Sequence, residues 1–178
     1  FTSILSCLFL CCTSYCQNVS DYLAKASKSL EIDDYQGAIV SLTEAIELDS
    51  SRYEAFGLRG TCKTILGDYR GSIPDFDQVI RILSSLANIG LVSLGEKEIL
   101  ANSYAERGLC KSQLSNHLGA ISDFTQAIEL DDKQALFYFV RGLSRIKNNQ
   151  KELGCLDFSK AGELGHQDAY EAIRKYCN

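Results

Sequence analysis

Cysteine and histidine are the residues of this 178-residue chain best suited to nucleophilic, metal or proton-transfer chemistry, and their spacing decides whether such chemistry can be built. Eight cysteines fall into two groups: Cys7, Cys11, Cys12 and Cys16 crowd the start, while Cys62, Cys110, Cys155 and Cys177 stand singly. A structural zinc site draws its thiolates from close pairs such as Cys-x2-Cys, and the four later cysteines offer none. Histidine, the usual proton carrier near neutral pH, occurs only as His117 and His166. No Gly-rich phosphate loop, His-Glu-x2-His or Gly-x-Ser-x-Gly pattern is present. The sequence therefore assigns no catalytic, metal or cofactor-binding residue, and a thiol or metal-dependent enzyme is the weakest of the readings it allows.

The elements that must position these residues follow from composition. Eighteen Lys and Arg against 23 Asp and Glu leave a net charge of −5, which argues against nucleic acid as a partner, since its binders carry a basic face. At 46% hydrophobic and 23% charged residues the chain has the make-up of a globular domain. A single proline, with neither methionine nor tryptophan, fits a mostly helical chain.

Residues 1–16 hold eleven apolar residues and five Ser or Thr, and the first charge is Asp21. The run Ile4 to Cys12 would rise only about 14 Å as a helix, against a bilayer core of roughly 30 Å, so it cannot span a membrane alone. Followed by Ser14 and Cys16, at −3 and −1 before Gln17, it has the form of a secretory signal peptide whose basic region would lie upstream of Phe1. The chain is then expected to be exported, in the periplasm, at the cell envelope or secreted, with no membrane span in the mature part. A bacterial lipid anchor on one of these cysteines is the rival. It fits the sequence poorly, because cleavage before Cys7 would leave Leu8-Phe9-Leu10 exposed and Tyr15 is bulky beside Cys16. The third alternative is a buried N-terminal helix of a cytoplasmic protein.

The rest of the chain repeats. Tyr35 recurs as Tyr69, Leu42 as Phe76 and Ala45 as Val79, each 34 residues on; Gly108 recurs as Gly142, Phe124 as Phe158 and Ala127 as Ala161 with the same spacing. Gly60 and Gly108 are 48 positions apart, one period plus fourteen. Apolar spacing and turn residues predict helices near 19–32, 35–48, 53–66, 69–83, 98–114, 117–130, 135–148, 151–163 and 167–177. Pro74 would be the sixth residue of its helix, so that helix is expected to start late or kink. Glu96 and Lys97 are expected to open an elongated first helix of the third repeat.

A 34-residue unit with a small residue in its first half and Ala-x3-aromatic-x2-Ala in its second resembles the tetratricopeptide repeat. In that register the repeats are 19–52, 53–86, 101–134 and 135–168, within a domain of 17–178. Position 8, where the two helices of a repeat touch, is Ala26, Gly60, Gly108 and Gly142. Position 24 is Leu42, Phe76, Phe124 and Phe158. The usual tyrosine at position 17 is kept as Tyr35 and Tyr69 but becomes His117 and Lys151, so His117 reads as a packing residue. The resemblance implies an all-α solenoid of about four helix-turn-helix repeats, coiled into a right-handed superhelix with a concave face. The amphipathic segment 167–177 would cover the apolar edge of repeat four.

In this frame the later cysteines become core or end residues. Cys62 and Cys110 share position 10 on stacked helices, about 8–10 Å apart, too far for a disulfide, and are expected to stay buried thiols. Cys155 and Cys177 could meet, and export would permit the bond, but the plainer reading is two more small apolar residues. Position 7 is Lys25, Arg59, Arg107 and Arg141, and position 23 is Ser41, Asp75, Asp123 and Asp157. An arginine-to-aspartate ladder joining helices is preferred over a basic stripe for acidic peptides.

The concave face, which the family uses to hold peptides, would be carried by Leu23, Ser27, Leu58, Thr61, Asn102, Glu106, Leu109, Leu136, Phe139 and Leu143. The Lys, Asn and Arg set by which chaperone-binding members grip a C-terminal carboxylate is absent, for those positions read Leu23, Ser27, Leu58, Asn102 and Glu106. The face grows apolar toward repeat four and suits an amphipathic helix, a hydrophobic peptide or a covering element. The insertion 87–100 carries Ile89, Leu91, Val92 and Leu94, which either pack back on the superhelix or form part of a docking surface. The leading reading is a protein- or peptide-binding scaffold; the alternative is a self-associating structural protein of the cell envelope, a homo-oligomer.

Overall fold

The computed structural model describes residues 18–178. The signal-peptide reading of 1–16, with its four cysteines, lies outside the described residues. The chain divides into two compact units, with the boundary between Asp68 and Tyr69. In the first, helix α1 occupies residues 18–31, followed by α2 (Tyr35–Leu48) and α3 (Tyr53–Ile65). The second holds α4 (Tyr69–Asn88), α5 (Leu94–Gln113), α6 (His117–Leu130), α7 (Ala135–Lys147), α8 (Lys151–Glu163) and α9 (Ala169–Tyr176). No strand occurs among the described residues.

Each helix of the second unit packs on the next in sequence, and α5 also touches α7, so first helices lie beside first helices. The packing follows the small-residue pattern. At Gly108 a Cβ would sit 2.9 Å from the Phe124 ring, and at Gly142 it would sit 2.7 Å from the Phe158 ring and 3.1 Å from the Gly154 carbonyl oxygen. Phe124 and Phe158 are fully buried in the space these glycines leave. Full burial of an aromatic ring of this size contributes roughly 2–3 kcal/mol, so the filled gap is a principal source of each pair's cohesion.

The turns repeat as closely as the core. Asp33, Ser115 and Asn149 adopt positive φ of 57°, 62° and 60°, and Gly67 takes 81° at the equivalent position. After α5 the Asn116 amide donates to the Lys111 carbonyl at 2.8 Å and the Ser115 amide to the Ser112 carbonyl at 3.0 Å. This paired closure satisfies the last carbonyls of the helix and turns the chain directly into α6. Asn116 then caps α6 by accepting from the Gly119 amide at 3.0 Å, as Asp34 caps α2 by accepting from Gly37 at 2.9 Å.

The structure departs from the sequence expectations at several points. α4 neither starts late nor stops near 83: it begins at Tyr69 and runs through Pro74 to Asn88. Pro74 is exposed, so water can serve the carbonyl it leaves without a partner, while Ser72, Asp75 and Phe76 are buried on either side. The insertion does not pack back as a separate segment. Most of its residues lengthen α4 and α5, leaving a short turn over 89–93; Ile89 and Leu91 on this turn and Leu94 at the start of α5 are 66%, 68% and 86% exposed. α5 opens earlier than Glu96, because Ser93 and Glu96 form a reciprocal capping box: the Glu96 amide donates to Ser93 Oγ at 3.2 Å and the Ser93 amide to Glu96 Oε2 at 2.8 Å. Finally, Cys155 and Cys177 are joined in a disulfide with Cα atoms 5.8 Å apart, contrary to the plainer reading. α9 folds back along α8, which brings its end to the start of α8.

Candidate functional site

The recurring charges at positions 7 and 23 are brought together. Arg107 donates through Nε and Nη2 to both carboxylate oxygens of Asp123, at 3.0 and 2.7 Å, and Arg141 does the same to Asp157 at 3.0 and 2.8 Å. The fork-to-fork geometry matches guanidinium to carboxylate. The third nitrogen, Nη1, reaches back to the preceding helix pair: to Asp77 at 2.6 Å from Arg107 and to Thr125 Oγ1 at 3.1 Å from Arg141. In the first unit Arg59 Nη1 likewise donates to Thr43 Oγ1 at 3.1 Å. The sequence separations are 16, 30 and 16 residues, so the middle bond spans the fourteen inserted residues and joins the equivalent repeat positions, with a carboxylate where the other two have a hydroxyl.

A further cation lies one helical turn beyond each arginine. Lys111 Nζ is 2.7 Å from Asp123 Oδ2 and Arg145 Nη1 is 2.8 Å from Asp157 Oδ2. Both aspartate side chains are only 4% exposed. Sequence reasoning missed Lys111 and Arg145, although the i, i+4 spacing from the arginines was the available signal. The local charges differ between repeats. Around Asp123 two cations meet two acids, Asp123 and Asp77, a sum of 2 − 2 = 0, whereas Arg141 and Arg145 share Asp157 alone, 2 − 1 = +1. Burial works to lower Arg107, but the bonds to Asp123 and Asp77 outweigh it and hold the guanidinium above its usual range. Arg145 is lowered, by burial and secondarily by the like charge of Arg141, despite Asp157. These arginines are committed to the scaffold, so they do not form an open basic stripe.

The residues predicted to hold a partner fall in both units, and each unit's set is taken by itself. Leu23 of α1 is half-buried and Ser27 exposed; Leu58 and Thr61 of α3 are exposed. In the second unit Asn102, Glu106 and Leu109 form one stripe on α5, exposed at Asn102 and half-buried at the other two. On α7, Leu136 is 46% exposed while Phe139 and Leu143 are half-buried. Ser144 Oγ and Ser112 Oγ, 3.5 Å apart, link α7 to α5.

Phe139 stands in an aromatic group that sequence alone did not assemble. Its ring stacks on His166 with centroids 4.1 Å apart and lies tilted against Phe158 at 5.7 Å; Phe158 in turn meets Tyr176 at 6.1 Å. α9 packs on α8, and a shallow groove of about 170 Å3 lies between Phe139 and Leu143 of α7 on one side and Glu171, Lys175 and Tyr176 of α9 on the other. Glu106 is the exception to the apolar character. No hydrogen-bond donor or cation among the described residues meets its carboxylate, and burial alone raises its pKa above the usual glutamate range.

The reactive side chains do not converge. Cys62 and Cys110 are buried thiols outside any disulfide, and burial pushes Cys62 up. The Nδ1 atoms of His117 and His166 are buried without a hydrogen-bond partner among the described residues, which suits packing. No group of three His, Cys, Asp or Glu side chains among the described residues is placed to hold a metal ion, and no described helix is long and apolar enough to cross a membrane.

A family model described as tetratricopeptide repeat matches residues 101–134, from Ala101 within α5 through α6 to the turn that follows it. No curated protein matches the sequence. Among solved structures, the crystal structure of MamA superposes with a TM-score of 0.70, covering 86% of this chain and 81% of that one at 21% identity. PilW, a widely conserved type IV pilus biogenesis factor, gives 0.63 at 14% identity, covering 89% of this chain and 65% of its own. At these identities the likeness is one of fold. With the match at 101–134 and the same small-residue, aromatic and ionic pairings in α7 and α8, the chain carries a tetratricopeptide repeat at 101–134 and has the helix-pair fold of such repeats.

Proposed function

We propose that this protein is an interaction scaffold that holds another polypeptide against the face presented by α5 and α7, without covalent chemistry of its own. The observation that carries this reading is the pairing of α5 with α7. Their adjoining stripes leave Leu136 exposed and Leu109, Phe139 and Leu143 half-exposed on a rigid surface, while the nearby arginines are consumed by internal bonds. Preformed helices lower the ordering cost of docking a segment. The test is capture from an envelope extract of the source cells with wild type beside Leu136→Asp. Leu136 is the better probe than Phe139, which also packs on His166 and Phe158. Partners retained undiminished by a folded Leu136→Asp protein would remove this face from consideration.

The same reading places the protein outside the cytoplasm. The apolar segment 1–16 and the Cys155–Cys177 disulfide support export, because such bonds persist in oxidising compartments. N-terminal sequencing of the mature protein should begin at Gln17; a blocked N-terminal cysteine with added lipid mass would replace secretion by a lipid anchor. Self-association is a second reading, favoured by the exposed Ile89, Leu91 and Leu94. Light scattering that finds only monomer at high concentration eliminates it.

A further inference from the structure

At positions 2, 5, 6, 9, 12 and 13 of α5 and α7 the charged side chains are Glu106, midway along α5, and Lys147, at the far end of α7; the others are apolar or neutral, among them Asn102, Leu109, Leu136 and Leu143. We propose that this face selects a basic-apolar peptide, setting a lysine or arginine of the partner on Glu106 and apolar side chains on the leucines to either side. The inference rests on the interaction reading above and names the chemistry of its partner.

Glu106 sits one turn from both Asn102 and Leu109 on the same stripe of α5, half-buried, and no described residue supplies it with a cation or a hydrogen bond. A half-buried carboxylate with no cation or donor beside it is incompletely solvated in the free protein, and an incoming ammonium or guanidinium offsets that cost. Burial alone raises its pKa, as expected of a carboxylate whose surroundings offer no compensation. The neighbouring cations cannot substitute, since Arg107 and Lys111 are already bound to Asp123. An acidic partner residue at the same place would meet like charge in a poorly hydrated setting, so the carboxylate rejects as well as attracts. The net charge of −5 favours encounter with cationic segments as well.

The experiment is selection of displayed random dodecapeptides on the full chain, in parallel with Glu106→Gln and Leu136→Asp, each confirmed as folded by circular dichroism. Wild type should enrich Lys or Arg flanked by apolar residues, and a synthetic peptide from that pool should bind about tenfold more tightly to wild type than to Glu106→Gln. Exchange of its basic residue for Glu should abolish binding to wild type and restore it to Glu106→Lys. Peptides that depend on Leu136 yet show no basic enrichment, or bind Glu106→Gln equally well, overturn the charge inference and leave the interaction face standing. Failure of all proteins to select any Leu136-dependent peptide overturns both.

Discussion

Gly142 illustrates how much a single atom matters in this chain. A Cβ there would approach Phe158 to 2.7 Å and the Gly154 carbonyl oxygen to 3.1 Å, and the second neighbour is backbone that cannot swing away. Gly142→Ala should lower the stability measured by urea unfolding by about 2 kcal/mol. Gly108→Ala meets only the Phe124 ring and should lose less. The need for these glycines was legible from the 34-residue spacing, because a small residue and an aromatic recur at a fixed interval across two helices. The isolation of Glu106 was not legible, since it depends on what α7 and the local core fail to provide. Its raised pKa carries a sign. Above the folded-state pKa the carboxylate is ionised in both states and the folded state bears the cost; below the ordinary glutamate value both states are protonated and the cost vanishes. Glu106→Gln should therefore be more stable than wild type at pH 7, and the advantage should disappear as pH falls through the range between the two pKa values. Parallel urea titrations across acid pH read this directly.

Helix pairs are held by packing and by a repeated ionic joint, and the two joints of the second unit are not equivalent. Asp157→Asn would leave Arg141 and Arg145 facing each other with no acid, at a cost of about 3 kcal/mol. Asp123→Asn leaves Arg107 still bonded to Asp77 and should cost clearly less. A difference of the opposite sign in matched thermal melts would contradict the assignment of charge balance. Positions 7 and 23 could be read in the sequence because Arg and Asp recur there. The positions that complete the joint were hidden by changing identity: Lys111 and Arg145 serve one role, and Thr43, Asp77 and Thr125 another. The ends of α4 and α5 were misjudged for a related reason. Ser84 and Ser85 interrupt the apolar spacing, yet Leu83 is buried and the helix continues, with the Ser93–Glu96 box giving α5 its own start.

At the scale of the whole chain, the disulfide is the one covalent link among described elements distant in sequence, and it closes a 22-residue separation. Reduction, or Cys155→Ser with Cys177→Ser, should cost about 3 kcal/mol, first seen as faster amide exchange in α9. Reductant should have no further effect on the double variant. The cysteine spacing alone could not reveal the pair, because the bond depends on how α9 returns along α8. The matching separations of 16, 30 and 16 residues behind Arg59, Arg107 and Arg141 carry a different consequence. A detour of fourteen residues has been accommodated without disturbing the joint at its base, so the turn at 89–93 is a splice point. A small fluorescent or affinity domain inserted after Gly90 on flexible arms should leave the melting transition within a few degrees of wild type, whereas the same cargo placed between Arg107 and Lys111 should prevent folding.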